Sequence, residues 1–417
     1  MKMKKLTLTA ISAMLLTGCG RQQLPASDPA PADEPVAYAS DLTAKPADDA
    51  FCEQQTAFAL DLFRRVYQTA EQTNTMISPY SVMQALAMTA NGAAGENRKQ
   101  MEQVLGGGTP IETLDRYLYG WRLAQPHTDR CKLNTANAIW VQEGNFSVKQ
   151  DFLQINREWF GADCFRAPFD QKTLGDINSW VNDHTDQMIP EIIDSFNPND
   201  RMVLVNAVSF DAKWQTAYES EDVKEADFTN ADGNKIRTEM MYSDESIYLS
   251  HDGATGFLRY YDGPYAFAGI LPPEDMTVSA YLEQLDGKTL RKMLTKGETA
   301  EVRAGIPSFS YDTDATLNQV LSDMGMSMAF GAGSDFSGMT ESVPLMIGRV
   351  LHKTHIDVDA EGTKAAAATA ATMTFKADPM EKEKKTVILN RPFLYMIVDT
   401  NTNLPVFIGT VQDLQGA

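Results

Sequence analysis

A chain of 417 residues, 43% hydrophobic and 22% charged, has the composition of a globular protein with room for one large core or two smaller ones. A net charge of −20 excludes a nucleic-acid binder, which would cluster Lys and Arg, and implies a soluble, self-repelling surface. With five histidines and no Gly-x-Ser-x-Gly, His-Glu-x-x-His or metal-ligand spacing, the chain offers no hydrolase site, so neither catalytic residues, nor metal ligands, nor a cofactor are expected.

At the N-terminus, Lys2, Lys4 and Lys5 precede an apolar run from Leu6 to Leu16 and then Thr17-Gly18-Cys19. This is a charged region, a short hydrophobic region and a small-residue cleavage site, and the run is too short to span a bilayer. Leu16-Thr17-Gly18-Cys19 resembles a bacterial lipobox, which implies lipidation of Cys19 and an exported protein held at the cell envelope. The alternative is an ordinary secretory signal in which Cys19 is incidental. Residues 1–18 are then the signal. Residues 19–50, with Pro25, Pro29, Pro31, Pro35 and Pro46 among Ala, Asp and Glu, form a disordered tether. The folded domain spans 51–417. Of the remaining cysteines, Cys52, Cys131 and Cys164, at least one is unpaired within the chain. Cys131 and Cys164 fall in segments that could be neighbouring strands, which is compatible with a disulfide.

Ala57, Phe58, Leu60, Leu62, Phe63 and Val66 recur at helical spacing, predicting a helix from Phe51 to about Thr73. Ser78-Pro79 is a cap followed by proline at the first helical position, so a second helix runs to Ala90 and stops at Asn91-Gly92. Further helices are expected over 96–105, ended by Gly106-Gly107-Gly108, and over 111–123. Residues 132–141 read as a strand, and 149–160 and 173–188 as helices. Residues 201–210 are apolar on both parities, as in a central strand covered on both faces. Beyond about 215 the pattern is mainly short strands and turns, with strands over 350–358 and 386–411 around Asn401-Thr402-Asn403. Helices early and strands late argue for an α+β fold.

Residues 361–372 read Glu-Gly-Thr-Lys-Ala-Ala-Ala-Ala-Thr-Ala-Ala-Thr. Composition alone favours a helix. The run, however, follows an alternating strand, a Gly and a β-branched Thr, and it ends in Thr372-Met373-Thr374-Phe375. As a strand with Thr363 facing inward, it would also turn Ala365, Ala367, Thr369 and Ala371 inward, and its one charge, Lys364, outward. Small side chains lose little entropy on burial.

Four stretches together resemble the serpin family over about 51–414. They are Asn74-Thr75-Met76-Ile77-Ser78-Pro79-Tyr80-Ser81; Leu204-Val205-Asn206-Ala207-Val208-Ser209-Phe210 with Lys213-Trp214; Val350-Leu351-His352-Lys353 leading to Glu361-Gly362-Thr363; and Asn390-Arg391-Pro392-Phe393 with Val406-Phe407-Ile408-Gly409. The resemblance implies a serpin fold, with about nine helices around three β-sheets, a five-stranded central sheet and an exposed reactive loop. It implies no enzyme but a suicide inhibitor of serine proteases of trypsin type, and of papain-like cysteine proteases as a further class. The protease would be trapped covalently as the loop enters the central sheet, an established case of strand addition. The alternative is a non-inhibitory serpin acting as a binding or chaperone module.

Carried over residue by residue, the hinge comprises Glu361, Gly362, Thr363, Ala365, Ala366, Ala367, Ala368 and Thr369. The cleaved bond follows Lys376 and precedes Ala377, with Phe375 or Met373 as alternative positions. Ser78, Ser81, Asn206 and His352 correspond to the shutter where central strands part, and Trp214 to the top of the sheet where insertion begins. His352 shares parity with Thr354, Ile356 and Val358 and so faces inward, where an Asn and a Ser hydroxyl could serve as its partners. The chain departs from the family twice. Ala360 and Ser308 stand where serpins usually carry a Glu and a Lys, so that ion pair is absent, and Glu361 is a partial substitute. With no basic cluster on the fourth helix, a heparin-like cofactor is not expected, and the protein reads as a monomer.

Overall fold

A computed structural model describes residues 42–71, 73–144, 147–363 and 384–414. The described residues begin at 42, ahead of the boundary expected at 51. Lys45 donates its backbone N–H to the Arg116 carbonyl, and Arg116 Nε reaches the Thr43 carbonyl at 2.9 Å. Helix α1 (Asp49–Thr69) is capped by Asp48, whose carboxylate accepts the Phe51 N–H at 2.9 Å. It buries Phe58, Leu62, Phe63 and Val66.

After the short strand β1 (Thr75–Ile77), Ser78 caps α2 (Pro79–Ala90), accepting the Ser81 N–H at 3.1 Å, with Pro79 at the first position as the sequence predicted. Helix α3 (Gly95–Gly106) ends at Gly107, whose left-handed backbone (φ 60°) only glycine adopts freely. Then come α4 (Ile111–Leu123), β2 (His127–Thr128), β3 (Cys131–Gln142), α5 (Gln150–Phe160), β4 (Asp163–Ala167) and α6 (Gln171–His184).

Strand β5 (Met202–Lys213) is buried on both faces, as its apolar parities require: Val205 and Ala207 pack under α6, while Val208, Phe210 and Ala212 enter the main core. Next are β6 (Val223–Thr229), the 17-residue β7 (Lys235–His251), β8 (Ala254–Tyr260) and β9 (Tyr265–Leu271). The strand-rich reading beyond 215 missed α7 (Val278–Gln284) and α8 (Gly287–Thr295), although Thr277 and Asp286 cap them by accepting the N–H groups of Ala280 and Thr289. Strands β10 (Glu298–Pro307) and β11 (Phe309–Thr316) lead to the single turn α9 (Asn318–Leu321), then to β12 (Leu351–Val358) and the two-residue β13 (Gly362–Thr363). The described chain closes with β14 (Lys384–Ile388), β15 (Phe393–Asp399) and β16 (Leu404–Val411).

The central sheet runs β11-β12-β13-β5-β3, with β4 parallel to β3 and β2 at the other end of β3. Apart from the two-residue β2 and β13, its strands β11, β12, β5, β3 and β4 are the expected five. The expected second and third sheets are hydrogen-bonded into one, β1-β16-β15-β9-β8-β7-β10-β14, with β6 on β7. The cause is the length of β7, which pairs with β6 near its start, with β10 through its middle and with β8 at its end. The sequence-compatible disulfide does not form. Cys164 lies opposite Ile139 and Cys131 opposite Ala212, and both thiols, like that of Cys52, are free and buried.

Candidate functional site: the seam of the central sheet

Strand β13 sits between β12 and β5. Thr363 pairs with Val358 on one side and Ala212 on the other, and Gly362 pairs with Lys213. Thr363 is buried and faces inward, its Oγ1 2.6 Å from the Tyr261 hydroxyl. Gly362 is required by close approach: a Cβ there would lie 2.2 Å from the Ala212 carbonyl oxygen. The turn into β13 is held by Asp359, whose Oδ1 accepts the N–H groups of Glu361 and Gly362 at 2.7 and 3.0 Å. Sequence reasoning passed over Asp359, although an Asp three residues ahead of a Gly is a usable turn signal. Below Thr363, no ladder joins β12 to β5 among the described residues.

Trp214 closes the top of this seam. It is fully buried, stacks on Tyr261 with ring centroids 4.4 Å apart, and donates Nε1 to the Asp359 carbonyl at 2.9 Å. Its backbone N–H reaches the Glu361 carbonyl at 2.9 Å, and that of Tyr218 reaches Ala360 at 3.3 Å. Arg259 lies over both the Tyr218 and Trp214 rings, at 3.8 and 4.9 Å from their centroids. It pairs with Glu245 at 2.6 Å, both side chains being about nine-tenths buried. This pair was not foreseen, because its partners lie on β7 and β8 and no local spacing announces it. Glu361, offered as a substitute for the missing family pair, makes no ion pair with another described residue. The Ser308 hydroxyl instead donates to the Val358 carbonyl at 3.2 Å.

Lower in the seam, the start of α2 touches both flanks. His352 on β12 is buried with Thr354, Ile356 and Val358, in the parity read from sequence. Its partner is neither of the groups suggested: the Ser78 backbone N–H donates to Nε2 at 3.0 Å. The reason is that a helix start presents unpaired N–H groups, while both candidate side chains are engaged elsewhere. The Ser78 hydroxyl donates to the Val406 carbonyl at 2.9 Å. Ser81 donates its hydroxyl to Asn206 Oδ1 on β5. Asn206 passes the chain to Asn137 on β3 at 2.6 Å, and Asn137 to the Phe160 carbonyl at 2.8 Å. The accepted bond fixes the His352 proton on Nδ1. Burial pulls its pKa down from 6.5 to about 4, so the ring is neutral at physiological pH.

The structure thus brings Ser78, Ser81, Asn206 and His352 together at one level of the seam, and Trp214, Glu361, Gly362 and Thr363 at its top. The remaining hinge residues Ala365, Ala366, Ala367, Ala368 and Thr369, the reactive-bond residues Lys376 and Ala377 with Phe375 and Met373, and Cys19 lie outside the described residues.

A sheet whose central seam admits the first residues of a downstream segment belongs to a known class of protein. Residues 53–414 match the family model described as Serpin (serine protease inhibitor). An uncharacterised serpin-like protein of Thermococcus kodakarensis is 30% identical over 86% of this chain and 84% of its own length. Among solved structures, the native state of the thermophilic serpin tengpin is 41% identical, covers 89% of this chain and 97% of its own, and superposes with a TM-score of 0.82. The latent state of tengpin gives 0.79 at 40% identity, covering 89% and 100%. The chain belongs to the serpin family and has the serpin fold.

Proposed function

We propose that this serpin is an inhibitory one, which traps serine proteases of trypsin type, and papain-like cysteine proteases as a further class, by inserting its reactive loop. The observation that carries the reading is β13. The hinge is entered at Gly362 and Thr363 as a strand between β12 and β5, with Thr363 inward. Continuing that parity turns Ala365, Ala367, Thr369 and Ala371 inward and Lys364 outward, so no charge would have to be buried.

In this reading the protease's Ser or Cys attacks the Lys376 carbonyl, the bond to Ala377 breaks, and an acyl-enzyme forms. The Lys376 ammonium suits an acidic specificity pocket. About 14 inserted residues at roughly 3.3 Å each would carry the attached protease on the order of 45 Å, across the domain. Distortion of its active site would then keep the ester from hydrolysis. The protein itself turns over no substrate. It is monomeric and anchored at the cell envelope by a lipid on Cys19, through the tether. Helix α4 carries two arginines, Arg116 and Arg122, and no lysine, so it offers no basic cluster for a heparin-like cofactor.

Incubation with trypsin or a papain-like protease is expected to give a covalent complex that survives hot detergent, and mass spectrometry of the released peptide to place the cut after Lys376. A loop that is simply cut, with no complex from any protease of either class, would falsify the inhibitory reading and leave a non-inhibitory serpin.

A further inference from the structure

Two hydrogen-bonded groups face each other at the base of the seam. On one side, Gly348–Val350 lead into β12 and are fixed to α9: Asn318 Nδ2 donates to the Gly348 carbonyl at 2.7 Å, and the Val350 N–H donates to Asn318 Oδ1 at 2.8 Å. On the other, the segment 192–200 leads into β5 and is fixed to α6, where Asn178 Oδ1 accepts the N–H groups of Ile192 and Ile193. Its last turn is closed by the Asn197 N–H on Asp200 Oδ2 at 2.8 Å. Arg349 spans the two groups. Its guanidinium lies 3.4 Å from Asp194 Oδ1 and 3.9 Å from Asp200 Oδ2, and it donates to the Ser195 carbonyl.

We propose that Arg349 is a positioning residue that clasps the base of the seam and sets the barrier to completing strand insertion. The proposal rests on the insertion reading above. A strand entering from β13 at the top must reach the level of Leu351 and Met202 to be fully paired, so β12 and β5 must stand a further strand apart there, by about 4.8 Å. The β12 side moves with Asn318 and the β5 side with Asn178, and Arg349 bonds across the boundary between them. A lone exposed ion pair would contribute little. Arg349, however, is three-quarters buried, and its planar fork hydrogen-bonds the Asp194 carboxylate and the Ser195 carbonyl with Asp200 at ion-pair distance, which is geometrically specific. Its loss would be felt at the end of insertion, when the lower part of the seam has to widen.

The test uses the intact protein and a labelled synthetic peptide with the sequence of residues 363–376, and follows the rate at which the peptide becomes incorporated. In the Arg349→Gln variant, incorporation should be on the order of two- to fivefold faster than in wild type. Arg349→Lys should fall between the two, and adding Asp200→Asn to Arg349→Gln should accelerate it no further. An unchanged rate in a well-folded Arg349→Gln variant, a drop in melting temperature with no change in rate, or an additive effect of Asp200→Asn would each overturn the clasp. If wild type neither takes up peptide nor gains stability when its own loop is cut, the insertion reading itself fails and the clasp falls with it.

Discussion

His352 is a base kept neutral inside a sheet. Its Nε2 accepts the Ser78 N–H, and burial holds its pKa at about 4 against 6.5 in the free side chain. As the pH falls from 6.5, the unfolded chain takes up a proton that the folded chain refuses, so stability drops through the window from 6.5 to about 4. Below that both states are protonated and the loss is complete. The gap is worth on the order of 3 kcal/mol at its full depth. In a His352→Gln variant, the denaturation midpoint should fall less steeply with pH across this window than in wild type, and equal slopes would show that His352 is not the titrating group. The inward parity of His352 was legible from the alternation of β12. Its partner was not, because Ser78 and His352 are 274 positions apart and the donor is a backbone group. The same limit hid Arg259 and Glu245, which meet across two strands of the other sheet.

At the scale of elements, β13 is the decisive one. The composition of residues 361–372 is that of a strong helix former, yet Gly362 and Thr363 near its start are strand. The ladder on both sides supplies what propensity cannot, since Gly362 and Thr363 bond to Lys213, Ala212 and Val358. Gly362 admits this pairing because it lacks a Cβ. A Gly362→Val variant should therefore behave as a substrate: the loop is cut by the target protease while the covalent complex is largely lost, read as the ratio of the two products on a denaturing gel. Full complex formation by this variant would mean that β13 is not the entry point. Local signals placed α2 and α3 closely, because Ser78-Pro79 and Gly107 act within one turn. They did not place the continuous second sheet, because β7 is strand throughout its length only through successive partners, β6, β10 and β8.

For the whole molecule, the reading makes the intact fold a stored state, since strain released by loop insertion is an established serpin device. Cutting the loop at Lys376 should raise the melting temperature, because the seam between β12 and β5 then gains a full strand of hydrogen bonds and buried alanines. Calorimetry of intact and cut protein reads this directly, and an unchanged melting temperature would count against insertion.

Sequence alone determined the family, the α+β class, the capped start of α2 and the inward face of Thr363, because each is written in residues close along the chain or in motifs of fixed order. The tertiary structure decided which groups meet at the seam: His352 with a helix start, Trp214 with Tyr261 and Asp359, and Arg349 with the segment before β5. The cysteines that could have paired are left free. Those meetings join residues far apart in sequence, and only the register of the packed sheets says which of them come within reach.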